Sequence, residues 1–406
     1  MLITYDESLD QSAKIKVVGV GGAGGNAINR MIQNQLKGVE FIAINTDAQA
    51  LNANLADVKL QIGRKYTRGL GAGAIAETGR KAAEESKDTI AKVLEGVDLV
   101  FITAGMGGGT GTGASPIIAE IARNLGALTV GIVTKPFLFE GPTRMKHAQE
   151  GIIELKKYVD TLIVIKNQKL LEIVNSETGI EEALLTADSI LNQATSGISD
   201  LITKTGIINL DFADIKTVVK DMGDAVVGTA EASGPSRAVM AASMAISSPL
   251  LDNVSIKGAK GILINFTGGP DMKLSEIHEA AEIIHQEAGE DTNTNIIFGV
   301  IVDETFSDKI RVTVIATGFN KENQPESPEL SHTESPKPKH YPQENNQTTF
   351  ILSDQSEKNN DKKHVVATST LENQEKLFTD FSTPDLDDFE TPAWIRKYKN
   401  KSNIYP

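Results

Sequence analysis

Short, β-branched apolar runs recur through the first part of the chain, at Ile15–Val20, Phe41–Asn45, Leu99–Thr103, Leu128–Val133 and Leu162–Ile165. Between them, apolar positions fall three and four residues apart at Asn26–Gln35, Ile75–Leu94, Ser115–Leu125 and Thr143–Tyr158. Near-continuous apolar strands alternating with amphipathic helices predict a parallel sheet covered on both faces, an α/β fold. Pro142 suits the first turn of its helix, where a missing N–H costs little. A long helical pattern from about Ile180 to Ile202 has no strand directly after it and reads as a connecting helix. A smaller α/β unit with a mixed sheet follows, with apolar runs at Gly261–Phe266, Ile296–Val302 and Val312–Ile315 around a helical stretch at Leu274–Ala288.

The pattern stops at Gly318. All 35 glycines lie at or before that residue, whereas eight of the 14 prolines lie after it, so the composition itself marks a boundary. Beyond it the chain is rich in Glu, Lys, Ser, Asn, Gln and Pro, too polar to offset its ordering entropy, and is expected to be disordered. The segments predicted are therefore 1–12, 13–178, 179–222, 223–318, 319–384 and 385–406. The last contains DLDDFETPAWIRKYK, Asp385–Lys399, with Phe389, Trp394 and Ile395 between acidic and basic residues. Aromatic anchors in a polar tail have no core to join, so this reads as a peptide that orders on a partner. The basic residues Arg396, Lys397, Lys399 and Lys401 make only a weak lipid-binding signal.

Charge and residue usage narrow the function. Lys and Arg number 40 against 54 Asp and Glu, a net charge of −14, which argues against sequence-independent nucleic-acid binding. Cysteine is absent, which removes thiolate nucleophiles, disulfides and Cys-ligated metals. No apolar run approaches the ~18 residues that cross a bilayer, and acidic Met1–Gln11 does not read as a secretory signal. The expectation is a soluble cytoplasmic protein. His147, His278 and His285 fall on helical patterns with no metal-ligand spacing and read as ordinary surface or core residues.

The glycines carry the candidate chemistry. The first strand runs into GVGGAGGN, where Gly19, Gly21 and Gly24 satisfy G-x-G-x-x-G between a strand and a helix. Glu40, at the head of the second strand, stands near the spacing expected of an acidic ribose contact. Taken alone these residues describe a nicotinamide-dependent (NAD) oxidoreductase. A second loop changes the balance: Leu99–Thr103 leads into AGMGGGTGTGAS, with Gly105, Gly107, Gly108, Gly109, Gly111 and Gly113. Such a run leaves successive backbone N–H groups free to form an anion-binding nest ahead of a helix N-terminus. Thr110 and Thr112 add hydroxyls. A dinucleotide needs one such loop, whereas two suit a triphosphate held from both sides. Neither contains G-K-[ST], so charge compensation falls to amides, to a cation such as Mg²⁺ and to residues elsewhere.

GGGTGTG at Gly107–Gly113 resembles the glycine-rich signature of the tubulin/FtsZ superfamily. VGVGGAGGNAINRM from Val18, FIAINTDAQAL from Phe41 and INLDFADIKTV from Ile208 resemble its FtsZ branch. The resemblance covers about residues 12–318, with a further match at DFETPAWIRK in the tail. It implies a tubulin-like GTPase domain, a connecting helix and a C-terminal α/β domain. By the same resemblance the activity is GTP hydrolysis, with Mg²⁺, in head-to-tail protofilaments that form the mid-cell division ring. Positions matching the family's nucleotide-binding residues are Gly21, Gly22, Ala23, Gly24, Gly25 and Asn26, then Gly107, Gly108, Gly109, Thr110, Gly111 and Thr112. Glu140 and Arg144 match residues near the sugar and phosphates, and Asp188 the one that reads the guanine edge. Asp211 and Asp214, supported by Asn209, match residues that reach the next subunit's nucleotide and would orient the attacking water. By residue type alone, the two aspartates also suit helix capping. The tail peptide, by resemblance, binds membrane-tethering and regulatory division proteins.

Two positions depart from the family's pattern. Leu184 stands where an aromatic ring near the guanine is usual, and Ile75–Ala76 where Asn-Pro commonly follows GLGAGA. Three readings thus stand: a self-assembling GTPase, a nicotinamide-dependent dehydrogenase, and a nucleotide-gated scaffold without turnover.

Overall fold

The computed structural model describes residues 13–170, 179–204, 206–248, 251, 255–289 and 294–319, without the side chains of 180–184 and 187. The expectations for Leu184, for 319–384 beyond Phe319 and for the peptide around Trp394 fall outside them.

Among the described residues ten strands form one sheet: β1 Ile15–Val20, β2 Glu40–Asn45, β3 Val58–Gln61, β4 Leu99–Gly105, β5 Leu128–Lys135, β6 Thr161–Lys166, β7 Gly223–Ser233, β8 Gly261–Gly268, β9 Asn295–Val302 and β10 Lys309–Thr317. Their order is β3-β2-β1-β4-β5-β6-β7-β10-β8-β9. From β3 to β7 every pairing is parallel, and β10 runs antiparallel to both β7 and β8. The helices are α1 Gly21–Gln33, α2 Ala48–Asn52, α3 Arg64–Thr67, α4 Ala76–Glu85, α5 Lys87–Leu94, α6 Thr110–Asn124, α7 Pro142–Leu155, α8 Asn167–Leu170, α9 Ile180–Thr203, α10 Phe212–Val219, α11 Arg237–Ile246 and α12 Leu274–Ala288. This is the predicted α/β class, with its parallel sheet and its mixed C-terminal part.

Alternation along each strand sends side chains to two cores. Val17, Phe101 and Val130 pack with α1 and α9, while Val18, Val20, Ile102 and Ala104 pack with α4–α7. A third cluster joins Ile262, Ile264, Phe266, Val312 and Val314 to α11 and α12. Helix α9 does more than connect. Ile190, Leu191, Ala194, Ile198 and Leu201 form a buried stripe at helical spacing, part of the same core as α1 and β5.

Three differences from the sequence reading have local causes. Both glycine loops run on into first helical turns: α1 starts at Gly21 and α6 at Thr110, five residues ahead of each pattern's start, with Gly107–Gly109 left outside the helix. Glycine carries no apolar side chain, so hydrophobic spacing does not register it. The pattern at Ile75–Leu94 divides at Ser86, whose Oγ accepts from the Gly63 N–H at 3.3 Å. Strand β7, GDAVVGTAEAS, and the alanine-rich α11 gave no apolar run and were not anticipated.

Candidate nucleotide site

The parallel strands deliver their carboxyl ends to one edge of the sheet, where an open α/β sheet binds ligands. Here a cavity of about 410 Å³ lies among Gly22 and Ala23 of α1, Gly108–Gly109 and the first turn of α6 at Thr110 and Gly111. A second, of about 160 Å³, continues along α1 past Gly21, Gly22, Gly25 and Asn26. The two share Gly22, Asn45 and Ala50. The N-termini of α1 and α6 converge: a Cβ on Gly21 would lie 3.0 Å from the Gly111 nitrogen. Two helix N-termini aimed at one space make an anion site without a lysine. Among the described residues, the one cation lining the larger cavity is Arg144, which pairs with Glu140 at 2.8 Å. Glu140 also accepts from the Phe137 N–H at 2.9 Å, so its carboxylate is held in place.

The cradle is built by close approach. Gly107 sits at φ +99°, and a Cβ there would come within 2.7 Å of the Arg144 carbonyl oxygen. Its N–H donates to Thr112 Oγ1 at 2.8 Å, so these two residues shape the loop rather than line the cavity. Gly24 likewise lines neither cavity and packs against the Thr103 carbonyl. Helix α4 presses directly on α6, where a Cβ on Gly113 would overlap the Ala76 carbonyl. Asp188, on α9, is half-buried, and burial pushes its carboxyl up to about 6, opposed by the charge of Arg30.

Several lining residues were not singled out from the sequence: Asn45, Asp47, Gly71, Ala72, Ala74, Thr134, Pro136 and Asn167. Five of them lie at or just past the carboxyl ends of β2, β5 and β6, so the rule that ligands sit at strand carboxyl ends was the available signal. Asn167 is 7% exposed, and its Oδ1 has no hydrogen-bond partner among the described residues, an acceptor left for a ligand. The departure at Ile75–Ala76 falls at the start of α4, with Ile75 57% exposed.

One expectation needs correction. Glu40 is the first residue of β2, at the amino end of the strand, and pairs there with Lys16 at 3.1 Å. It stands at the opposite edge of the sheet from the glycine turns, so it makes no ribose contact, and the dinucleotide reading loses its acidic partner. Asp211 and Asp214, expected to reach the next subunit's nucleotide, line neither part of the cavity of their own chain. Asp211 caps α10, its Oδ1 accepting from the Asp214 N–H at 2.8 Å, and Asn209 accepts from the Gly206 N–H. From Asp188 to Thr203, α9 rises about 22 Å. Thr203 packs on Gly38, just before the amino end of β2, and the aspartate loop follows beyond it. Among the described residues no helix is long and apolar enough to cross a membrane.

Comparison with known proteins agrees with this geometry. Residues 14–175 match the GTPase domain of the Tubulin/FtsZ family, which defines the class as a tubulin-like GTPase. Residues 223–320 match the C-terminal domain of the FtsZ family. A solved structure described as an empty FtsZ dimer from M. jannaschii is 47% identical, with a TM-score of 0.73 over 77% of this chain and 90% of that one. More distant are CetZ2 of Haloferax volcanii, a protofilament with GTPγS (20% identity, TM-score 0.63, 76% and 94% covered), and the GDP-bound CetZ1 monomer (21%, 0.66, 76% and 95%). These two share the fold. The chain belongs to the FtsZ family and is a GTPase, and nothing in these likenesses supports a nicotinamide enzyme.

Proposed function

We propose that this GTPase polymerises head to tail, with Asp211 and Asp214 of one subunit completing the GTP site of the next. The observation that carries the reading is the separation just described: one chain holds a phosphate cradle and a carboxylate pair at different ends of α9. The M. jannaschii FtsZ dimer supports self-association. In this arrangement the amides of α1 and α6 bind the phosphates, and the partner's carboxylates orient and polarise the attacking water. A monomer then binds GTP but lacks half of its hydrolytic machinery, so turnover follows assembly. The cellular role we infer is that of a cytoskeletal division protein, forming a ring at the future septum. Its tail peptide around Trp394 would engage membrane-tethering and regulatory division proteins.

No three His, Cys, Asp or Glu side chains converge as metal ligands among the described residues. A Mg²⁺ ion at this site would be held mainly by phosphate oxygens and water. When bound, it would neutralise phosphate charge.

Asp188 is proposed to accept hydrogen bonds from the guanine N1–H and amino group, which favours guanine over adenine. That role needs the ionised carboxylate, and burial holds its pKa near 6. Guanine-nucleotide affinity should therefore weaken as pH falls from 7 to 5, by up to about tenfold. The linkage to folding has the opposite sense. The free folded chain holds this proton more tightly than the unfolded chain, so the group favours folding at low pH and that contribution is lost as pH rises through about 6. Titration of GDP binding against pH, in wild type and Asp188→Asn, checks the first effect: the additional pH dependence of the wild type should vanish in the variant.

Electron microscopy of the purified protein with GTP and with GDP tests the function itself. Filaments with GTP alone are expected. Their absence with both nucleotides would sink the polymer reading.

A further inference from the structure

Thr46 follows the last residue of β2 and is fully buried, yet it is connected on two sides. Its Oγ1 lies 2.6 Å from Oγ1 of Thr110, the first residue of α6, and either hydroxyl can be the donor. Its carbonyl accepts from the Thr67 hydroxyl at 3.3 Å and from the Gly71 N–H at 3.4 Å. Thr110 is 8% exposed and lines the larger cavity; Gly71 lines the same cavity from the loop before α4.

A hydroxyl has one proton to give and two lone pairs. When the cavity holds a phosphate, Thr110 meets it best by donating its proton to a phosphate oxygen. The contact with Thr46 can then survive only if Thr46 is the donor. The result is a chain in one direction, Thr46 O–H to Thr110 O–H to phosphate oxygen, in which each bond polarises the next. With no phosphate present, either direction serves. We infer that Thr46 is a positioning residue for nucleotide binding, fixing the Thr110 hydroxyl as a donor toward phosphate. It does not touch the nucleotide. The inference rests on the reading of α6 as the phosphate cradle.

Valine at 46 keeps the branched shape and removes the donor, and serine keeps the donor. The test is a double-variant cycle on full-length protein, reading GDP affinity by competition with a fluorescent guanine nucleotide below the assembly concentration. Thr46→Val should weaken GDP binding by about five- to tenfold, and Thr46→Ser should stay within about twofold of wild type. Thr110→Val should weaken binding at least as much as Thr46→Val, and the double variant should be no weaker than Thr110→Val alone. A role in packing only would make the two losses multiply, which overturns the proposal, as would wild-type affinity in Thr46→Val beside a weakened Thr110→Val. Unchanged affinity in Thr110→Val would instead remove the cradle reading beneath it. Should Thr46→Val fail to fold, Thr46→Ala in the same cycle gives the same comparison.

Discussion

Asp211→Asn and Asp214→Asn should each lower GTP turnover by about 100-fold or more while leaving the GTP affinity of the unassembled chain within about twofold. Asparagine is chosen because it caps a helix as well as aspartate does, so α10 keeps its start and the loop its shape. What is lost is the negative charge that would orient and polarise water at the γ-phosphate of the neighbouring subunit. Neither aspartate lines the cavity of its own chain, which is why binding should be spared. Phosphate release on the two variants and on wild type, beside GTP binding below the assembly concentration, reads both halves. Unchanged turnover would remove the assigned roles. Lost binding would mean that these residues serve their own chain's cavity.

Gly113→Ala is the second large effect expected, and it acts on the fold. Its Cβ would overlap the Ala76 carbonyl and lie 2.6 Å from the Arg80 nitrogen, both backbone atoms of α4. Backbone does not yield as a side-chain tip does, so α4 must move off α6, at a cost of about 3 kcal/mol. The start of α4 carries the Gly71–Ala74 loop that lines the cavity, so nucleotide affinity should fall with stability. Gly22→Ala separates the two quantities. Nothing lies within 4 Å of a Cβ at Gly22, but the residue lines both parts of the cavity. Thermal unfolding without nucleotide should drop by about 5 °C or more in Gly113→Ala and stay near wild type in Gly22→Ala, with GDP binding impaired in both.

Much of this was legible in the residues, and the omissions are physical. The parallel half showed itself because its strands are buried on both faces and so read as unbroken apolar runs, as at β4 and β5. Strand β7 did not, because its burial is irregular and its residues are small. The glycine turns were visible as composition, but their helical character was hidden, since Gly21–Gly25 and Thr110–Gly113 offer no apolar face to count. Glu40 misled because spacing along a chain does not say which end of a strand a residue occupies; the pairing with Lys16 does. Of the two sequence readings of Asp211 the structure shows the capping one: the residue is exposed, and its Oδ1 caps α10. No pattern in the residues marked Thr46, whose importance comes only from the 2.6 Å contact across the fold to Thr110.

If a second subunit completes the active site, the rate of phosphate release must depend on total protein concentration. At saturating GTP, release per chain should be near zero at low concentration and rise once a threshold for assembly is passed. Specific activity that stays constant through dilution, in chains shown to be monomeric, would contradict it.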